Sequence, residues 1–247
     1  MSVSFVSMRS STALAAALAL GVAAAAPAAA QTVTVATSVG NNLVAAGRAA
    51  GDQSTFNTLA QSFVSPTAGC GTSICYLQSF AFYLGDGFGG TDVRLRAYVF
   101  SFGAEGALTG PALYRSAEFA GSSNVFGLDP FRFETTNLAL TRGGAYAFVL
   151  SAAEPFGLVP DGSTVLAGAT LADEYAPGAL YGARTGADFS SLGDPGALAR
   201  VAGAPDLSFQ ATFTAAVVPE PATVALVGGG LLALAGVVRR RAGRQHR

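Results

Sequence analysis

Fourteen arginines, no lysine, one histidine and two cysteines leave this 247-residue chain few routes to covalent or metal chemistry. Schiff-base and P-loop phosphate chemistry both need a lysine amine. The single histidine, His246, is second from the end of the sequence, so neither a Ser-His-Asp relay nor a histidine-ligated zinc site has a candidate in the body of the chain. Carboxylates, the cysteine pair and aromatic surfaces remain. Asp173 and Glu174 are adjacent, and on a strand neighbouring side chains point to opposite faces, which argues against them as the paired acids of a glycoside hydrolase. Asp86 and Asp92 flank Gly87-Phe88-Gly89-Gly90-Thr91 and are the candidates for a calcium ion, the one cofactor with a foothold here, although the spacing fits no EF-hand. Among seven tyrosines and no tryptophan, Tyr175 and Tyr181 stand in Gly/Pro-rich stretches. Binding groups tend to be presented in such stretches, so these two are the candidates for a glycan platform.

These residues have to be positioned by three unlike segments. Arg9 precedes an unbroken small and apolar run from Ala13 to Ala26, after which come Pro27 and Ala28-Ala29-Ala30. Residues 1–30 therefore read as a secretory signal peptide cleaved before Gln31, which implies export through the Sec translocon. The run is shorter than the roughly 20 residues a membrane span needs. Export places the domain where disulfides persist. Cys70 and Cys75 enclose Gly71-Thr72-Ser73-Ile74, a turn-prone loop whose closure by a disulfide would contribute about 2 kcal/mol. Two free thiols are the alternative. A metal pair is not supported, since the spacing is not C-x-x-C and no second pair exists.

At the other end Val217-Val218-Pro219-Glu220-Pro221 leads into seventeen uncharged residues, Ala222 to Val238, and then Arg239-Arg240-Arg241. Two prolines around a glutamate cannot continue a helix or a strand, so this is an extended, accessible elbow with Glu220 near the positive end of the helix that follows. Residues 222–238 reach about 25 Å as a helix, the lower limit for a membrane span. The arginines supply the stop-transfer charge and keep the tail cytoplasmic. This order of Pro-Glu-Pro, short apolar helix and arginine cluster resembles the PEP-CTERM sorting signal of Gram-negative bacteria. The resemblance implies recognition by an exosortase, a membrane-embedded cysteine protease, processing near Pro219-Glu220-Pro221 and release from a transient inner-membrane anchor to the cell surface or the medium. It also implies an association with exopolysaccharide and biofilm.

Residues 31–216 form the exported domain. Eight arginines against nine aspartates and five glutamates leave it six charges negative, which excludes nucleic acid as a partner. Leu207, Phe209, Ala211 and Phe213 alternate with polar residues and should line one buried face of a strand. Similar segments are 32–39, 56–64, 76–84, 93–102, 112–119, 131–140, 145–151, 164–171 and 179–184, ten strands with that of 207–214. They are separated by turn formers such as Gly85-Asp86-Gly87 and Arg142-Gly143-Gly144. This predicts an all-β fold, a jelly-roll-like β-sandwich. Residues 61–150, with Phe80-Ala81-Phe82-Tyr83-Leu84 and Tyr146-Ala147-Phe148-Val149-Leu150, also resemble jelly-roll domains of other PEP-CTERM proteins, which look like carbohydrate-binding modules in fold. The expected function is a non-enzymatic surface or matrix component. The alternatives are a glycan-binding module of the same fold and a carboxylate-pair glycoside hydrolase.

Overall fold

Strands that must bury both faces lose their alternation, and the runs Ala97-Tyr98-Val99-Phe100 and Ala147-Phe148-Val149-Leu150, all buried, show where the middle of the molecule lies. The computed structural model describes residues 31–40, 42–47, 56–70, 72–103, 106–154, 162–184 and 189–215. The proposed signal peptide, the elbow at Pro219-Glu220-Pro221, the helix 222–238 and the arginine cluster lie outside them. Among the described residues no helix is long and apolar enough to cross a membrane.

The described chain is all-β. In order the strands are β1 (Thr32–Ala36), β2 (Asn42–Gly47), β3 (Phe56–Val64), β4 (Ile74–Phe88), β5 (Arg94–Phe102), β6 (Leu108–Arg115), β7 (Phe119–Ala120), β8 (Asp129–Thr141), β9 (Ala145–Ser151), β10 (Thr164–Ala169), β11 (Leu180–Arg184), β12 (Ala199–Arg200) and β13 (Phe209–Thr214). One leaf has the order β2-β10-β4-β8, and β13 with β1 pairs alongside the first half of β4. The other has the order β3-β9-β5-β6, with β11 and β12 flanking β3. All of these pairings are antiparallel. A single parallel bridge, Ala46 to Phe56, joins the leaves.

The core lies between the leaves. Phe63 of β3 stacks on Phe148 of β9 with centroids 4.0 Å apart, and Phe148 stacks across the gap on Phe80 of β4 at 4.8 Å. Such ring pairs add about 0.5–1.5 kcal/mol beyond the area they bury. The back of the second leaf is covered as well: Phe189 and Leu192, in a 3-10 turn over Phe189–Gly193, and Leu198 pack on Tyr98, Phe100 and Val149. This second layer explains the unbroken apolar runs.

Several expected boundaries are corrected. Gly85-Asp86-Gly87 is not a turn but the end of the fifteen-residue β4. A side chain at Gly85 would strike the Gly127 carbonyl at 2.6 Å, and one at Gly87 the Thr164 carbonyl at 2.9 Å, so these glycines permit close approach of neighbouring backbone. The segment 112–119 divides into β6 and β7. β1 stops at Ala36 and β10 at Ala169. Strands β2 and β12 have no counterpart among the expected segments, and β13 begins at Phe209, with Leu207 in an isolated bridge to Ala169.

Candidate functional site

Each residue that the sequence offers for chemistry has a definite place. Cys70 and Cys75 form a disulfide, and just before it a side chain at Gly69 would strike Val33 of the first strand. Asp86 uses Oδ1 to accept the Gly90 N–H at 2.7 Å, tying the end of β4 to a 3-10 turn over Gly90–Asp92. Asp92 is exposed on that turn. Among the described residues no group of three His, Cys, Asp or Glu side chains could hold a metal ion.

The two candidate tyrosines do not share a platform. The Tyr175 ring packs edge-on against Phe209 at 5.6 Å. Its hydroxyl donates to the Val64 carbonyl at 3.0 Å and accepts the Val64 N–H at 3.2 Å, and burial raises its pKa. Tyr181 is on strand β11 rather than in a loop, with its ring 5.1 Å from that of Phe102. Asp173 is exposed, and Glu174 beside it accepts the Ser38 N–H and hydroxyl, both at 2.6 Å. Those bonds hold its carboxyl below the usual range.

Two polar clusters escaped the sequence because their members are far apart in the chain. Asp206 is fully buried. One oxygen accepts Gln61 Nε2 at 3.0 Å, and the other accepts the N–H groups of Glu174 and Tyr175 at 2.9 and 3.0 Å. The Gln61 carbonyl in turn accepts the Leu207 N–H at 2.7 Å. This carboxylate is spent on structure. In the second cluster the buried Tyr98 hydroxyl donates to Glu154, which also receives Arg115 through Nη2 and, at 3.2 Å, through Nε. Arg96 lies 3.6 Å from both Glu154 and Glu118. Burial first, and the hydrogen bond to Glu154 second, push the Tyr98 pKa well up. Every charge in the cluster is matched, which suits a brace between β5, β6 and the end of β9 more than a catalytic centre.

The functional address lies beyond the last strand. Residues 217–241 match the family model of the PEP-CTERM protein-sorting motif. The chain carries the PEP-CTERM sorting motif. That motif marks an exported, exosortase-sorted protein, and it starts two residues after Ala215, whose N–H donates to the Gln31 carbonyl at 3.4 Å beside the paired β1 and β13. Comparison with curated proteins finds no match. Solved structures of infectious bursal disease virus, the Gt strain and a subviral particle, each share 14% identity over 79% of this chain and 44% of theirs. Their TM-scores are 0.28 and 0.27, and the chain spans less than half of their length. At such scores the likeness carries no argument.

Proposed function

We propose that this is a non-catalytic component of the cell surface or extracellular matrix, a jelly-roll domain delivered by the PEP-CTERM route, cleaved by an exosortase near Pro219-Glu220-Pro221 and held by exopolysaccharide. The observation that carries this reading is the sorting motif at residues 217–241 directly behind a folded β domain. The disulfide supports folding outside the cytoplasm. The leaf orders β2-β10-β4-β8 and β3-β9-β5-β6 support the jelly roll, since the pairs β2·β10, β3·β9, β4·β8 and β5·β6 nest inside one another along the chain as two Greek keys do. A structural role is favoured over hydrolysis by Asp206 and Glu154, whose oxygens are already engaged by protein donors.

Glu220→Ala tests the reading. Export should continue, while the mature protein keeps the residues after Pro221 and stays in the inner membrane. Processing of the variant at the wild-type rate would contradict exosortase recognition of this motif.

A further inference from the structure

The outward face of β4 is not a plain solvated sheet surface. Ser79, Ala81 and Tyr83 point away from the core, in alternation with the buried Phe80, Phe82 and Leu84. Their cross-strand neighbours are fixed by register. Ala81 stands between Arg132 of β8 and Gln210 of β13, Ser79 between Glu134 and Thr212, and Tyr83 beside Pro130. Small side chains in the central strand and long ones on both flanks make a trough of about 290 Å³. It runs about 13 Å along β4 from Ser79 to Tyr83, at about 3.3 Å per residue. Its floor is sunken: Ser79 is 2% and Ala81 7% exposed, whereas the Arg132 and Glu134 side chains are 61% and 66% exposed.

The polar groups of this trough are unspent. Arg132 donates through Nε to Glu134 at 2.6 Å, which leaves both terminal guanidinium nitrogens without a partner among the described residues. The same holds there for the Gln210 amide, the Thr212 and Tyr83 hydroxyls and the Ser79 hydroxyl. Ser79 and Thr212 line the groove beside Arg132 and Gln210.

The geometry points to a binding site for a neutral polysaccharide strand along β4. A sugar chain offers hydroxyls that a planar guanidinium, a carboxylate and an amide can engage in pairs, and an apolar ring face that can lie on Tyr83. The Arg132 charge is matched by Glu134, and the domain is six charges negative, so a polyanion gains no attraction here. Tyr83 is the one outward aromatic in the trough, too little apolar anchor for a protein partner. This site rests on the exopolysaccharide part of the proposed function and not on the sorting part, so its gel test and the Glu220→Ala processing test fail separately.

The test is affinity electrophoresis of the full-length chain, purified in detergent, through gels containing the neutral polysaccharide isolated from the producing organism's matrix. Wild type should be retarded. Tyr83→Ala and Arg132→Ala should each weaken retention about tenfold, the loss of one hydrogen bond to a charged group or one stacking contact. Each should melt within a few degrees of wild type, with Gln210→Ala, at an exposed position, as the replacement if either fails to fold. Phe126→Ala, 98% exposed on a separate turn, should leave retention unchanged. Absence of retardation of the wild type, equal retardation of the trough variants, or loss confined to Phe126→Ala would each overturn the site.

Discussion

Glu154 shows how a single side chain sets an acid limit on this domain. Burial alone would raise its pKa, but hydrogen bonds from Tyr98 and Arg115 and the charge of Arg96 hold it below the ordinary value. A carboxylate with a lower pKa folded than unfolded contributes stability above its unfolded pKa of about 4.3, and that contribution is lost as pH falls through the folded value. Glu154→Gln should therefore melt below the parent at pH 7, and the gap should narrow as the pH is taken down through the acid range; thermal unfolding over a pH series checks this. Asp206 is a harsher case. Asp206→Ala strands the Gln61 amide and two backbone N–H groups in a dry site, and a cost of about 3–5 kcal/mol is expected in denaturant unfolding. Cys70→Ser with Cys75→Ser should cost about 2 kcal/mol, a drop in Tm of roughly 4–8 °C for a domain of this size.

At the scale of elements, the two leaves end on strands that resist pairing with another copy. β8 carries Thr136 and Asn137 at φ of 51° and 62°, opposite the register shift between Leu77 and Ser79. β6 carries Gly110 at φ +69° followed by Pro111. Bulges and prolines of this kind bend an edge away from a would-be partner. Asn occupies the left-handed region at less cost than a β-branched residue, so Asn137→Val should destabilise by about 1–2 kcal/mol and Asn137→Gly should not, as chemical denaturation would show. The element scale is also where the sequence was most readable. β13 was legible because Leu207, Phe209, Ala211 and Phe213 face the core and are at most 1% exposed, while Gln210 and Thr212 face outward. β2 was not: Asn42-Leu43-Val44-Ala45-Ala46-Gly47 is alanine-rich and lacks a clear polar phase. Gly85 and Gly87 misled for a physical reason, because a glycine needed for close backbone approach looks in sequence like one needed for a turn. The trough on β4 could not be read at all, since its walls come from residues 130–134 and 210–212 and meet only through register.

Over the whole molecule, the entry and exit of the domain coincide. Gln31, the expected mature start, and Ala215, two residues before the motif, are hydrogen-bonded neighbours at the outer pair β1·β13. Both processing events, signal-peptide removal and cleavage at the motif, would then act on chain leaving one end of a finished sandwich, and neither would cut a strand of the core. The sorting motif was fully legible because its parts are contiguous and each has a local physical role; the cargo's binding surface is assembled from distant strands and emerges only with the fold. The most direct measurement is the intact mass of the mature protein from its native host, taken separately from medium, outer membrane and inner membrane. The account predicts a species that starts at Gln31 and lacks the residues beyond about Pro221, found outside the inner membrane. A species ending at Arg247 and confined to the inner membrane would contradict it.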